Sequence, residues 1–98
     1  MTIQQMKDGN ALTIALEGRL DTMTAPELEA ALKTAPDGVT ELTFDFEKLE
    51  YISSAGLRVL LGAQKTMNVQ GTMKVAHVNE IIAEIFEVTG FADILTIV

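Results

Sequence analysis

Tyr51-Ile52-Ser53-Ser54-Ala55-Gly56-Leu57 is the stretch on which the fold turns, because an extended segment ends there and the chain's longest helical pattern begins. Upstream, Leu42, Phe44 and Phe46 alternate with Thr43 and Asp45, which predicts a strand with one face on a core; residues 49–52 then carry the chain to the serines. Downstream, a helix is predicted over about residues 55–69. Leu57, Leu60, Leu61 and Met67 lie mostly on one side of it, and Gly71 stands as its C-terminal stop. Two hydroxyls and a glycine therefore fall at a helix N-terminus. A serine there caps backbone N–H groups, and the same donors, with the positive end of the helix dipole, suit a phosphate. Spacing alone favours the cap.

Towards the N-terminus, residues 2–6 and 11–17 flank the turn-forming Lys7-Asp8-Gly9-Asn10, and Leu12, Ile14 and Leu16 alternate. That predicts a strand hairpin, broken by Gly18. Thr24-Ala25-Pro26-Glu27 has capping-box form and predicts a helix start, followed by an apolar stripe of Leu28, Ala31, Leu32 and Ala35 and a Glu29/Lys33 pair on the wet side. Pro36-Asp37-Gly38 ends that helix. Towards the C-terminus, residues 72–76 read as a short strand and Asn79 as an N-cap. Ile81, Ile82, Ile85 and Phe86 form the expected buried side of a third helix, Gly90 stops it, and residues 94–97 read as a last strand.

Strands alternating with helices after a hairpin predict an α/β fold over residues 1–98 as one domain. Its sheet is mixed, mostly parallel and of about five strands, with three crossover helices. At least two helices should share one face and leave the other poorly covered. Loops at the carboxyl ends of the strands gather on one rim. By chain order that rim receives residues 18–24, 45–54 and 77–79, which would make Asp21, Asp45, Ser53, Ser54 and His77 neighbours.

Composition narrows the chemistry. The 98 residues are 48% hydrophobic, enough for one core, and a chain of this length buries roughly 60–65% of its unfolded surface. No signal peptide or apolar membrane span is visible, so a soluble, cytoplasmic protein is expected. With no cysteine and one histidine, disulfides, thiol nucleophiles and transition-metal sites are not expected, and no cofactor is implied. A formal net charge of -7 opposes nucleic acid and points to protein partners.

Residues 42–61, with their alternating strand, Ile52-Ser53-Ser54-Ala55-Gly56-Leu57 and an apolar helix, resemble the STAS domains, named after sulfate transporters and anti-sigma factor antagonists. Glu17-Gly18-Arg19-Leu20-Asp21, with Thr24-Ala25 and Leu28, resembles that family's other recurrent segment, and Gly71 and Thr89-Gly90-Phe91 extend the likeness over nearly the whole chain. Met1 at the start favours the freestanding bacterial members over the transporter domains. The resemblance implies a partner switch without chemistry of its own. The protein would bind an anti-sigma factor that is also a serine kinase, be released when that kinase phosphorylates it, and be restored by a PPM-type phosphatase. Carried over by position, the family's aspartate, phosphoacceptor, serine or threonine, glycine and leucine fall on Ser53, Ser54, Ala55, Gly56 and Leu57, which makes Ser54 the candidate acceptor. Two departures stand out: Ser53 occupies the aspartate position and offers a second hydroxyl, and Ala55 replaces the small hydroxylated residue. The implied partner-binding set is Asp21, Thr22, Met23, Ile52, Ser53, Ser54, Gly56 and Arg58, with Met23 and Ile52 as exposed apolar contributors.

Two other readings stay open from the residues alone. In one, the same fold is a constitutive interaction module whose serines only cap the helix. In the other, Ser54, His77 and either Asp21 or Asp45 form a hydrolytic triad, although no G-x-S-x-G elbow surrounds Ser54. Met67 and Met73 read as filler rather than as a cofactor box. Oligomeric state is not fixed by the sequence.

Overall fold

Alternation along the strands produces a sheet with one dry face. The computed structural model describes residues 1–34 and 38–98. In chain order these form β1 (Thr2–Asp8), β2 (Ala11–Leu20), α1 (Ala25–Lys33), β3 (Glu41–Ile52), α2 (Ser54–Gln70), β4 (Thr72–Ala76) and α3 (Glu80–Thr89), followed by a 3₁₀ turn at Phe91–Asp93. The hairpin is antiparallel, with Thr2 opposite Glu17 and Asp8 opposite Ala11. β2 pairs with β3 and β3 with β4 in parallel, so the order is β1-β2-β3-β4 with the antiparallel strand at an edge.

Leu12, Ile14 and Leu16 of β2, Leu42, Phe44 and Phe46 of β3, and Met73 and Val75 of β4 are buried on one face. Thr13, Ala15, Thr43, Asp45, Lys74 and Ala76 alternate with them and are half-buried or exposed. Leu28 of α1, Leu57, Leu60 and Met67 of α2, and Ile82 and Phe86 of α3 join the inner residues in a single cluster. All three helices thus serve one face, and among the described residues no helix covers the other. Each buried Leu or Phe contributes about 1.5–3 kcal/mol, so this one interface is the main source of stability. No helix among the described residues is long and apolar enough to cross a membrane.

The β2/β3 pairing slips twice, between Ala15 and Glu17 and between Gly18 and Arg19, so Ala15 to Leu20 on β2 face Asp45 to Ile52 on β3. Such bulges add residues to one strand and sharpen its twist. Gly18, at φ +104, bends β2 through to Leu20 instead of ending it. The same slips explain why the apolar alternation of β3 lapses after Phe46 and resumes at Leu49 and Ile52 within one strand.

Several expectations change. Gly71 is extended (φ 173) and not a left-handed cap; its role is close approach, since a Cβ there would meet the backbone of Thr40. Gly90 is the left-handed cap expected of it, at φ 81. The fifth strand shrinks to one bridge between Ile97 and Val75, because the chain turns at Phe91–Asp93 and only Thr96 O and Val98 N–H reach β4, at 2.9 and 3.0 Å. Ile81, expected in the core, is exposed. The Glu29–Lys33 pair forms, at 3.4 Å. Ala35 and the helix stop at Pro36 and Asp37 lie outside the described residues.

Where β4 ends, His77 takes φ 59 and its Nδ1 lies 2.8 Å from Asp45 Oδ1. The hydrogen bond to Asp45 raises the His77 pKa above the usual 6.5, with the Asp45 and Glu47 charges adding and partial burial opposing. The bond from His77, then that from the Glu47 N–H, lowers the Asp45 pKa below 3.8. A raised histidine stabilises fully below 6.5 and loses that contribution as pH rises through its folded pKa; a lowered carboxylate stabilises above 3.8 and loses it as pH falls through its own. Both contributions are therefore complete between those two values.

Gly71→Ala should lower stability by about 1–3 kcal/mol in urea unfolding, whereas Gly62→Ala, with open space around its would-be Cβ inside α2, should raise it by about 0.5–1 kcal/mol. Proton-NMR titration should place His77 above 6.5 in the parent protein and return it toward 6.5 in Asp45→Asn, with a flatter loss of stability on the alkaline side; an unshifted His77 in the parent would contradict the ion pair.

Candidate functional site

β2 and β3 finish side by side, Leu20 opposite Ile52, and the Ser53 N–H donates to Leu20 O at 2.9 Å. The segment entering α1 and the segment entering α2 therefore leave the sheet together. Gly56 makes this junction possible: a Cβ there would lie 2.7 Å from Leu20 Cγ and 2.8 Å from Ile52 Cγ1. Ile52 itself is buried, which corrects the expectation that its side chain is exposed to a partner; Ile52 and Gly56 hold the site from beneath.

The first segment is organised by Asp21. Its Oδ1 accepts from the N–H groups of Met23 (3.0 Å) and Thr24 (3.2 Å), and Oδ2 is 3.8 Å from Arg19 Nε. Partial burial pushes the Asp21 pKa up, but the bonds from Thr24 and Met23, with Arg19 nearby, outweigh it and leave the pKa lowered. The capping box does not form. Thr24 Oγ1 instead accepts from the Asp21 N–H and donates to Arg19 O, both at 2.8 Å, folding the hydroxyl back onto the end of β2. Arg19 also lies over the Tyr51 ring, 4.5 Å from its centroid. This lattice leaves Thr22 exposed and Met23, at 85% exposure, pointing into solvent.

The second segment carries the serines, which differ sharply. Ser53 is the N-cap of α2, but its side chain makes no capping bond and its Oγ is buried without a partner. Ser54 is the first helical residue and is exposed. The expected serine cap is thus absent. α2 also has no acidic residue in its first turn, so its N-terminal dipole meets no carboxylate of its own helix. Arg58 is exposed one turn after Ser54, at the edge of an apolar groove of about 430 Å³ between α1 and α2, floored by Leu12, Leu42, Val59 and Ala63. Among the described residues Arg58 forms no ion pair within 4.0 Å.

The single rim inferred from chain order divides in two. β3 runs on past the end of β4, whose Ala76 pairs with Asp45, and the five residue steps of β2 from Ala15 to Leu20 put Asp45 about 16 Å from Ile52. Asp21, Ser53 and Ser54 are together; Asp45 and His77, with Glu47 within 4.8 Å of both, form a separate cluster on the sheet. A triad of Ser54, His77 and an aspartate is not assembled. Buried Gln64 of α2 was missed in the sequence; its Nε2 donates to Asn68 Oδ1 at 2.8 Å, an ordinary i, i+4 pair with no signal in the apolar pattern.

The chain has counterparts among known sequences and solved structures. BtrV of Bordetella bronchiseptica, assigned as an anti-sigma factor antagonist, is 35% identical over 99 residues, covering 99% of this chain and 85% of the relative. The anti-sigma-B factor antagonist of Staphylococcus aureus is 31% identical over 84 residues, 84% of this chain and 78% of that one. The structure of SpoIIAA in its unphosphorylated form aligns with a TM-score of 0.78 at 23% identity, over 99% of this chain and 87% of that one. The phosphorylated form of SpoIIAA, a Bacillus cell fate determinant, gives 0.76 at 23% identity, over 99% and 91%. The family model described as "Mlab, STAS domain" matches residues 3–97. A hairpin-led mixed sheet, helices on one face and a strand-to-helix serine junction in the expected order leave one conclusion: the chain belongs to the STAS-domain family.

Proposed function

We propose that this chain is a cytoplasmic anti-sigma factor antagonist that acts by binding alone. In this reading the unphosphorylated protein holds an anti-sigma factor serine kinase, phosphorylation of Ser54 releases it, and a PPM-type phosphatase resets the switch. The observation that carries the choice of residue is the contrast between the serines: Ser54 is exposed on the first turn of α2, whereas the Ser53 hydroxyl is buried. Supporting it are the names of the relatives and the record of SpoIIAA in both phosphorylation states.

The proposed contact surface comprises Thr22, Met23, Ser54 and Arg58, supported by Asp21, Ile52, Ser53 and Gly56. Met23 supplies apolar area, and Arg58 a cation in a chain of formal net charge -7. A phosphate adds about 1.5–2 negative charges. At the start of a helix whose first turn holds no acid, that charge is locally favourable, so the fold persists. The penalty falls on the complex, where the phosphate brings bulk and charge onto a surface shaped for a hydroxyl.

Purified Ser54→Ala should bind the anti-sigma factor kinase of its own organism about as well as the parent. Ser54→Asp should bind at least about tenfold more weakly, roughly 1.4 kcal/mol, with an unchanged circular dichroism spectrum. Equal binding by the parent and both variants would favour a constitutive module, and loss of the native spectrum in Ser54→Asp would contradict the local account of the charge.

A further inference from the structure

α3 carries two apolar stripes, and only one of them is fully buried; of the other, Ile85 alone packs against the core. Ile82 and Phe86 are fully buried against the sheet. Ile81, Ile85 and Val88, spaced i, i+4 and i+7, form a neighbouring stripe in which Ile81 is 60% exposed, Val88 78% exposed and Ile85 half-buried. Glu80, Glu84 and Glu87 follow on the solvent side of that stripe, all exposed. Past Lys74 the chain contains no lysine or arginine, and its one histidine, His77, is engaged by Asp45, so no free cation of this segment offsets them.

From this arrangement we propose that the outer face of α3 is a second protein-docking surface, separate from the start of α2, for a partner presenting an apolar strip bordered by lysine or arginine. Apolar contact supplies the affinity, and the glutamate row supplies orientation and selects for a basic border. The same charges argue against the other occupants. A two-fold contact between copies would bring the glutamate rows of two acidic chains close together, and an anionic membrane surface would repel them.

The test uses the ¹⁵N-labelled full chain, titrated with a short amphipathic leucine–lysine helix peptide and, separately, with its leucine–glutamate counterpart. The expected result is amide shifts concentrated over residues 80–89 with the lysine peptide, weakening as salt is raised and absent with the glutamate peptide. Binding should fall at least about tenfold in the double variant Ile81→Ser/Val88→Ser and, independently, in Glu84→Lys/Glu87→Lys. Circular dichroism should show both double variants to be folded, since all four positions are exposed. Three outcomes overturn the proposal: no shifts on α3; binding unaltered by removing Ile81 and Val88; or α3 shifts that grow with protein concentration without peptide, which would assign the face to a second copy.

Discussion

Leu20 and Ile52 close over the place where a side chain at residue 56 would sit, and the position of α2 depends on that closure. Because Gly56 presents no Cβ, the first turn of the helix settles directly on the paired ends of β2 and β3. The Ser53 N–H to Leu20 O bond then ties the junction to the sheet. One constraint of packing thus decides which hydroxyl is covered and which is free: Ser53 is caught at the seam, and Ser54 stands one residue beyond it. The chemistry open to the site follows from how tightly a strand pair grips a helix.

The second determinant is how the carboxylates are used. Asp21 spends both oxygens inside its own segment, on the Met23 and Thr24 N–H groups and on Arg19, so it shapes the loop that projects Met23 and offers little free charge. Asp45 is likewise engaged, by His77, at a different level of the sheet. The first turn of α2 carries no acidic residue of its own in a chain of formal net charge -7. That local relief makes it a place where added negative charge is tolerated by the fold and felt by whatever binds there.

Much of this was legible in the residues because it rests on local pattern. The alternation of Leu12, Ile14 and Leu16, the Gly9-Asn10 turn, Asn79 as a cap whose Oδ1 accepts from the Ile82 N–H at 2.8 Å, and Gly90 as a left-handed stop are short-range effects. What escaped depends on register and competition across the chain. The two bulges of β3, one opposite Ala15–Glu17 and one opposite Gly18–Arg19, cannot be read from one strand; β4 stops level with Asp45 while β3 runs on to Ile52, and this separates His77 from Ser54. Thr24 has the form of a capping residue, but Arg19 O and the Asp21 N–H compete for its hydroxyl and win. In α3 the apolar pattern is too rich to identify its own buried side; Ile81 and Ile82 look alike in sequence, and the fold buries only Ile82. Ile52 was legible as apolar but not as the floor of the site, because that role exists only once Gly56 lies above it.

In the proposed partner switch, Ser54 is the controlled residue. That role is tested most directly by peptide mass spectrometry of the protein isolated from its native cells under phosphatase inhibition, paired with identification of the proteins that co-purify with each form. The expected result is phosphate on Ser54, none on Ser53, and a kinase-type anti-sigma factor retained mainly by the unmodified form. Phosphate on Ser53, or an unmodified junction under every growth condition with the partner still bound, would contradict it.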